Sequence, residues 1–518
     1  MNERLLAAWH LLPAYLGEHV LLSASALTLG IAISLPLALL AIRSARIRWP
    51  LLAVASLVQT IPSIALLALF YPLLLALSAL SQQMFGVGFS ALGFLPSLLA
   101  LTLYSILPIL RNSITGVMNL DPAVIEAARG VGMTDAQRLW RVELPLAAPM
   151  IMAGVRTSAV WVIGTATLST PVGQTSLGNY IFSGLQVENW VAVLFGCAVA
   201  ALLALVVDQL LGLIEAGTVK RSTWRVSLGL GLLILGCAVA VGPRLAKDAP
   251  SYVVGAKSFS EQYILSSLLA DRIREQGQPA IRKTGLGSAI AFRALAGNEI
   301  DVYVDYSGTL WANVMQRTDR PSRQIVLRTT AQWLHERYGV ELLGSLGFEN
   351  AYALAMRRRH AEELGIRTIR DLAAHAANLK IGGDFEFFAR PEWSALRDHY
   401  GLHFAARRQF QSTFMYKAAS SGEVDVISAF SSDGRIAAED LVVLDDPDQV
   451  LLPYDAVILL SPRRADDAVL RAALEPLLGK VSIELMREAN MMVDRESDKL
   501  TPAAAARWLV QQIDAKSQ

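Results

Sequence analysis

The sequence predicts a multi-domain protein, a bundle of about six membrane-crossing α-helices followed by a water-facing α/β domain of two lobes. Three observations carry this prediction. Long apolar stretches fill the first 245 residues and then stop. After Ser251 the text alternates short apolar strands with amphipathic helices, as parallel strands joined by crossover helices do. Hydrophobic residues make up 53% of the chain against 18% charged, an apolar excess that lies mostly before Lys247.

A helix needs about 20 apolar residues to cross the hydrocarbon. Segments near 20–42, 51–79, 92–110, 148–170, 191–215 and 226–244 meet that requirement. Residues 1–19 carry Trp9 and Tyr15 among scattered charges and read as an interfacial helix; the Glu18-His19 pair interrupts any signal-like apolar run. The membrane domain proper is then 20–225, with a final span and linker at 226–250. Basic residues orient it. Arg43, Arg46 and Arg48, then Arg111, Arg129, Arg138 and Arg141, then Lys220, Arg221 and Arg225 mark three cytoplasmic loops, whereas 80–91 and 171–190 hold no Lys or Arg. Both termini therefore lie outside, and the domain at 251–518 faces the periplasm or cell exterior. Arg156 falls inside the fourth span, about 10 Å from its cytoplasmic end, which is within snorkelling reach.

Net charge is +1, which gives no long-range pull toward nucleic acid. The two cysteines, Cys197 and Cys237, sit inside apolar runs and read as packing residues. His335-Glu336 begins like a zinc helix, but position 339 is glycine where the second ligand belongs, so no metal site is expected.

Between the third and fourth spans runs DPAVIEAARGVGMTDAQRLWRVELPLAAP. Asp121-Pro122 reads as an N-cap with a first-turn proline, Gly130 and Gly132 permit a bend, and a second short helix is expected from about Thr134 to Val142, ended by Pro145. This loop resembles the permease signature of ABC importers, Glu-Ala-Ala, three residues, Gly, nine residues, Ile, one residue, Leu-Pro. Glu126, Ala127, Ala128, Gly132, Leu144 and Pro145 stand at those spacings, with Val142 in place of the isoleucine. The resemblance implies a coupling helix that docks on an ATPase subunit. The chain holds no Gly-x-x-x-x-Gly-Lys-Ser/Thr loop, so a separate ABC ATPase is implied, and because such ATPases are paired the chain is expected to form a homodimer in the lipid membrane.

In the second domain, strands are expected at 251–259, 280–285, 300–308, 379–385, 407–411 and 424–430, with helices at 261–276, 288–299, 391–400 and 414–423. One lobe is expected to hold 251–352 and 456–518, and the other 353–455. The segments GAKSFSEQYIL at 255–265, GLGS at 285–288, IDVYVDYSGT at 300–309, ENAYALAM at 349–356, DFEFFARPEW at 384–393, SAFSSDGRI at 428–436 and LLPYDA at 451–456 resemble the substrate-binding domains of osmoprotectant (glycine betaine, choline, carnitine) ABC importers. That resemblance implies a periplasmic-binding-protein clamshell fused to its own inner-membrane permease, with no cofactor and no catalytic residue. It also implies an aromatic box for a quaternary ammonium head at Tyr306, Tyr352, Phe430 and Tyr454, with carboxylate anchors at Lys257, Thr309 and Arg390. Position 430 is usually tyrosine in that motif; Phe430 keeps the ring face and loses the hydroxyl.

The anchors favour zwitterions such as glycine betaine, proline betaine, carnitine or ergothioneine. Choline would leave Arg390 unpaired unless water or Asp305 screened it. The competing readings are a membrane-anchored betaine sensor, which would need a cytoplasmic output module, and an anchored enzyme, for which no Gly-x-Ser-x-Gly elbow or metal-ligand cluster is present.

Overall fold

The computed structural model describes residues 3–86, 89, 93–186, 189–245, 251–384, 386–448, 450–495 and 498–515. The linker expected near 243–250 lies largely outside the described residues, as do Phe385 of the DFEFFARPEW segment and part of the 80–91 loop. The chain forms two compact units, one of apolar helices and one holding the α/β text after residue 250.

In the first unit six helices are long and apolar enough to cross a membrane. The helices are α1 (Glu3–Arg43), α2 (Ala45–Thr60), α3 (Ser63–Phe85), α4 (Phe94–Met118), α5 (Pro122–Gly130), α6 (Asp135–Arg138), α7 (Leu144–Ala166), α8 (Gly178–Gln186), α9 (Trp190–Val219) and α10 (Thr223–Leu245). The most enclosed candidate span is α4, which packs against α1 and α7.

The structure corrects several sequence expectations here. The segment expected to form a separate interfacial helix is continuous with the first span, because neither Pro13 nor the polar pair Glu18-His19 interrupts the helical run of α1. The single span expected at 51–79 is two helices. Proline disfavours helical geometry in the residue before it, and Ile61 ahead of Pro62 takes extended backbone, ending α2. Nor does Pro145 end a helix. A π-helical turn at Leu139–Glu143 joins α6 directly to α7, and Pro145 lies within that continuous helical run.

Arg156 does not snorkel. Its Nε and Nη2 donate to Asp208 at 2.9 and 2.8 Å, and its Nη1 donates to Glu215 at 2.7 Å, tying α7 to α9. A lone guanidinium beside lipid is costly, whereas one forked onto two carboxylates satisfies most of its donors. Gly212 packs closely against the fork, since a Cβ there would stand 3.3 Å from the Arg156 Cζ.

The second unit contains two five-stranded sheets. Its strands are β1 (Tyr252–Lys257), β2 (Ala280–Leu286), β3 (Val302–Tyr306), β4 (Glu341–Glu349), β5 (Tyr352–Arg357), β6 (Lys380–Asp384), β7 (Ala406–Phe410), β8 (Val426–Phe430), β9 (Leu441–Val443) and β10 (Asp455–Leu460). One sheet runs β2-β1-β3-β10-β4 and the other β7-β6-β8-β5-β9. The sheets are mixed where parallel strands were expected. β1, β2 and β3 are parallel, as are β6, β7 and β8, but β10 runs antiparallel to β3 and β4, and β5 antiparallel to β8 and β9. The strands that break the parallel pattern, β5 and β10, are those through which the chain enters one sheet from the other, so their direction is set by the crossing.

The ion-pair geometry in the membrane unit yields a ranked outcome. Arg156→Gln leaves both Asp208 and Glu215 without their cation, whereas Asp208→Asn leaves Arg156 still paired to Glu215. Arg156→Gln is therefore expected to lower the thermal midpoint of the detergent-solubilised chain more than Asp208→Asn, read by loss of monodisperse protein on heating; the reverse ranking would contradict the pairing.

Candidate functional site

A cavity of about 390 Å³ opens between the two sheets of the second unit. All seven residues that the sequence nominated for ligand contact line it: Lys257, Tyr306, Thr309, Tyr352, Arg390, Phe430 and Tyr454. The topology explains the convergence. Lys257 and Tyr306 are the last residues of the parallel strands β1 and β3, and Thr309 sits in the helical turn that follows β3. Clefts form outside the carboxyl ends of such strands. Tyr352 opens β5 and Phe430 closes β8, and the two are direct partners in the antiparallel register. Arg390 caps the helix Pro391–Tyr400, and Tyr454 immediately precedes β10.

Tyr352 is the hub of the aromatic cluster. Its ring centroid lies 5.1 Å from Phe430, 5.2 Å from Phe387 and 6.1 Å from Tyr454, the last at an interplanar angle of 89°. Gly308 lets Tyr454 lie against the turn after β3, because a Cβ at that position would meet the ring at 2.6 Å. Burial lifts the hydroxyls of Tyr306 and Tyr352 well above the usual phenol value, so both present neutral rings.

The charged residues are paired differently from the sequence expectation. Asp305 does not screen Arg390; it binds the Lys257 ammonium. Arg390 is held instead by Glu386 at 3.1 Å and Glu392 at 3.4 Å, and it donates to the Tyr454 hydroxyl at 3.2 Å while its Cζ stands 5.0 Å from the Tyr352 centroid. Glu392 also accepts the Tyr454 hydroxyl. The third lining cation, Arg435, is forked onto Asp433 at 2.7 and 3.0 Å. Every described cation facing the cavity thus has an acid partner. Arg390 therefore has acid partners without any ligand carboxylate.

Several residues of the site were missed at the sequence level. Glu261, Asp384, Asp433 and Asp494 line the cavity, and with Glu386 these acids outnumber the lining cations Lys257, Arg390 and Arg435. Burial pushes the Asp384 carboxyl up, opposed by the backbone N–H groups of Phe387 and Glu386. Asp494 is pushed up to about 7 by burial, with Arg435 pulling the other way. Glu261 lay within the GAKSFSEQYIL segment, but its place in the first turn of a helix gave it no distinct role, since surface helices begin the same way.

The lobes also meet away from the rings. Arg487 donates to the Ser431 carbonyl at 2.9 Å, and Asn490 to the Ser432 carbonyl at 2.8 Å. Gly434 permits this approach, since a Cβ there would lie 2.4 Å from the Met491 backbone nitrogen.

The loop between α4 and α7 carries the second set of nominated residues. Asp121 accepts from the Ala123 N–H at 2.9 Å to start α5, and Thr134 and Gln137 form a reciprocal capping box at the start of α6. Gly132 turns the chain between them at a φ of +79°, a left-handed value that favours glycine. Glu126 and Ala127 are exposed, Ala128 is buried, Leu144 is half-buried and Pro145 is exposed. Val131 and Trp140 stand out at 74% and 66% exposure, leaving large apolar side chains uncovered on this loop.

A two-sheet cleft ringed by aromatics and a helical unit with six candidate spans define the class of a binding protein fused to a membrane permease. The chain matches the family described as substrate binding domain of ABC-type glycine betaine transport system over residues 250–511, and the binding-protein-dependent transport system inner membrane component over 30–220. It belongs to the osmoprotectant-type ABC importers, as a fused permease and binding protein. It is a multi-pass inner-membrane protein, and its binding domain is the extracytoplasmic partner of the importer.

Among relatives, the chain is 29% identical to the ergothioneine transport permease/ergothioneine binding protein EgtU of Helicobacter pylori, over 89% of this chain and 83% of that one. It is 39% identical to the choline transport system permease protein OpuBB of Bacillus subtilis, over 38% of this chain and 84% of that one. A crystal structure of a glycine betaine/carnitine/choline ABC transporter aligns with 51% of this chain and 98% of its own, at 27% identity and a TM-score of 0.45.

The Gly434 contact gives a prediction. Gly434→Ala should hold the lobes apart and weaken ligand capture at least about tenfold without touching a cage ring, because the obstructing atoms are backbone. Small-angle scattering would show a more open binding domain; unchanged affinity and shape would refute the contact.

Proposed function

We propose that the chain is the permease and substrate-binding subunit of an ATP-driven importer of quaternary ammonium compounds, with glycine betaine or a related betaine as its substrate. A separate ABC ATPase drives it, docking on the 122–145 loop of each copy in a homodimer. The observation that carries the ligand class is the set of four rings, Tyr306, Tyr352, Phe430 and Tyr454, around one cavity whose other lining is rich in acids. A trimethylammonium head has a diffuse charge and no N–H to donate. Hydrogen-bond acceptors grip it poorly, whereas ring faces each contribute about 0.5–2 kcal/mol once water is excluded. A ligand carboxylate would share the donors of Lys257, Thr309 and Arg390.

An alternative within the same class is another trimethylammonium solute, choline, carnitine or ergothioneine. Ergothioneine is favoured by one specific observation, that Gln411, Ser412 and Ser288 also line the cavity, polar side chains suited to a hydrogen-bonding second end. The relative from Helicobacter pylori is named for that ligand.

Calorimetric titration of the full chain in nanodiscs with glycine betaine, proline betaine, carnitine, choline and ergothioneine tests the ligand class. Tyr352→Ala and Tyr454→Ala should each cost about 2 kcal/mol, roughly 30-fold, for the trimethylammonium ligand that binds. Unchanged affinity in both would remove the cage.

Coupling is tested separately. Glu126→Lys should abolish uptake into proteoliposomes containing the co-expressed ATPase while leaving titrated affinity unchanged, and normal uptake by that variant would contradict docking at this loop.

A further inference from the structure

Glu261 is a buried charge at the cavity to which neither the ring cage nor the carboxylate anchors give a role. It is the second residue of α11 (Ser260–Glu275), and only 3% of it is exposed. Four donors converge on its two oxygens. Oε1 accepts from the Tyr306 hydroxyl at 2.5 Å and from Asn350 Nδ2 at 3.1 Å, while Oε2 accepts from the Ser432 hydroxyl at 2.6 Å and from Asn490 Nδ2 at 2.9 Å. Gln262 Nε2 donates to the Tyr306 hydroxyl at 3.1 Å, which directs that hydroxyl's own proton to Glu261. The Asn350 and Asn490 amide nitrogens can only donate, one to each oxygen, and the Tyr306 hydroxyl is directed to donate, an arrangement that favours the carboxylate form.

All four donors are neutral, whereas the lining cations are matched to other acids: Lys257 to Asp305, Arg390 to Glu386 and Glu392, and Arg435 to Asp433. Burial pushes the Glu261 carboxyl up and its four donors pull the other way, and none of the lining cations is its partner. Its strongest donor is itself a cage wall. A phenol that donates to a carboxylate carries more electron density on its ring, and in a water-poor cleft that density strengthens the attraction for a cation. Ser432 follows β8 of the second sheet, while Glu261 and Tyr306 belong to the lobe built on the first. The four-donor coordination is completed only when the lobes are together.

We propose that Glu261 is the specificity-determining counter-charge of this cleft, a positioning residue that acts through Tyr306 and through the field of its carboxylate to select a permanently cationic head over an uncharged head of the same shape. The inference rests on the quaternary ammonium reading. It accounts for the cleft's taking a cation although three cationic side chains line it, and it makes the selection depend on lobe closure through Ser432.

The test compares charged ligands with their tert-butyl isosteres on the full chain in nanodiscs: glycine betaine against 3,3-dimethylbutyrate, and choline against 3,3-dimethylbutanol. Wild type should prefer the ammonium member of a pair at least roughly tenfold. In Glu261→Gln that preference should fall to within about threefold through loss of affinity for the ammonium alone, with the isostere's Kd unchanged. A general structural defect would weaken both members together and would overturn the proposal. Tyr306→Phe, which keeps the ring and removes the hydroxyl that reaches Glu261, should give an intermediate preference and decides the matter if Glu261→Gln does not fold. An undiminished preference in either folded variant would also overturn it. If wild type binds neither ammonium ligand, the quaternary ammonium reading falls and this inference with it; if wild type binds and discriminates but the variants discriminate equally well, this inference alone falls.

Discussion

The cleft depends on two places where the chain crosses between sheets, the step from β4 to β5 at Asn350–Ala351 and the return from β9 to β10. The crossings are bonded to each other and to the neighbouring strand end. The Asn350 N–H donates to the Tyr454 carbonyl at 2.9 Å, and the Ser431 N–H to the Ala351 carbonyl at 2.9 Å. Tyr352, Phe430 and Tyr454 each lie within two residues of those bonds. Ring geometry and hinge geometry are consequently one variable. A rotation of one lobe reorients β5 and β10 at their first residues, where the cage is anchored, so a ligand that fixes the rings fixes the hinge.

Electrostatics decides what such a hinge can close on. Burying a bare guanidinium or ammonium would be far more costly than any one ligand contact could offset, and pairing each lining cation with an acid avoids that cost. Pairing also removes the cations as obstacles to a positively charged guest. The lining acids then face a positively charged guest, with Asp384 and Asp494 pushed by burial toward their neutral forms. Arg390 illustrates the division of labour, since it spans Tyr352 and Tyr454 and joins the ring wall to Glu392 while contributing little free positive charge. A carboxylate placed there would share donors within an existing network, a smaller effect than the capture of an unpaired cation would be.

What the sequence revealed and what it hid divide along physical lines. Periodicity is local, so the strands and helices from β1 through β3 and from β6 through β8 were legible, as were the aromatic positions at strand ends. Strand direction is not local. Nothing in the text of β10 distinguishes a strand that follows a crossover helix from one returning out of another lobe. The break at Ile61 was available in principle through Pro62, but a run of apolar residues on both sides masked it. Arg156 was visible and its partners were not, because Asp208 and Glu215 stand 52 and 59 residues further on, inside an apolar run that reads as lipid-facing. Glu261 was hidden for the opposite reason. An acid in a helix's first turn satisfies the helix dipole without further explanation, and only the convergence of Asn350, Ser432 and Asn490 from distant segments shows that it is sealed in.

The pairing of Arg156 bears on how a loop outside the hydrocarbon can move helices within it. A disturbance at α5 reaches α6 across the left-handed turn at Gly132, and α6 passes into α7 through a π-helical turn with no intervening loop. Arg138 reinforces that junction, since it binds Asp135 at 2.9 Å and Glu143 at 2.6 Å on either side of the turn. Continuous helix transmits displacement with little loss, whereas a flexible loop would absorb it. From α7 the Arg156 fork carries the constraint sideways to α9 at two points one helical pitch or more apart, Asp208 and Glu215, which resists rotation as well as sliding. A single ion pair would act as a pivot; two carboxylates on one guanidinium act as a bracket. The fork therefore holds α7 and α9 together at two points, with Gly212 packed against the guanidinium.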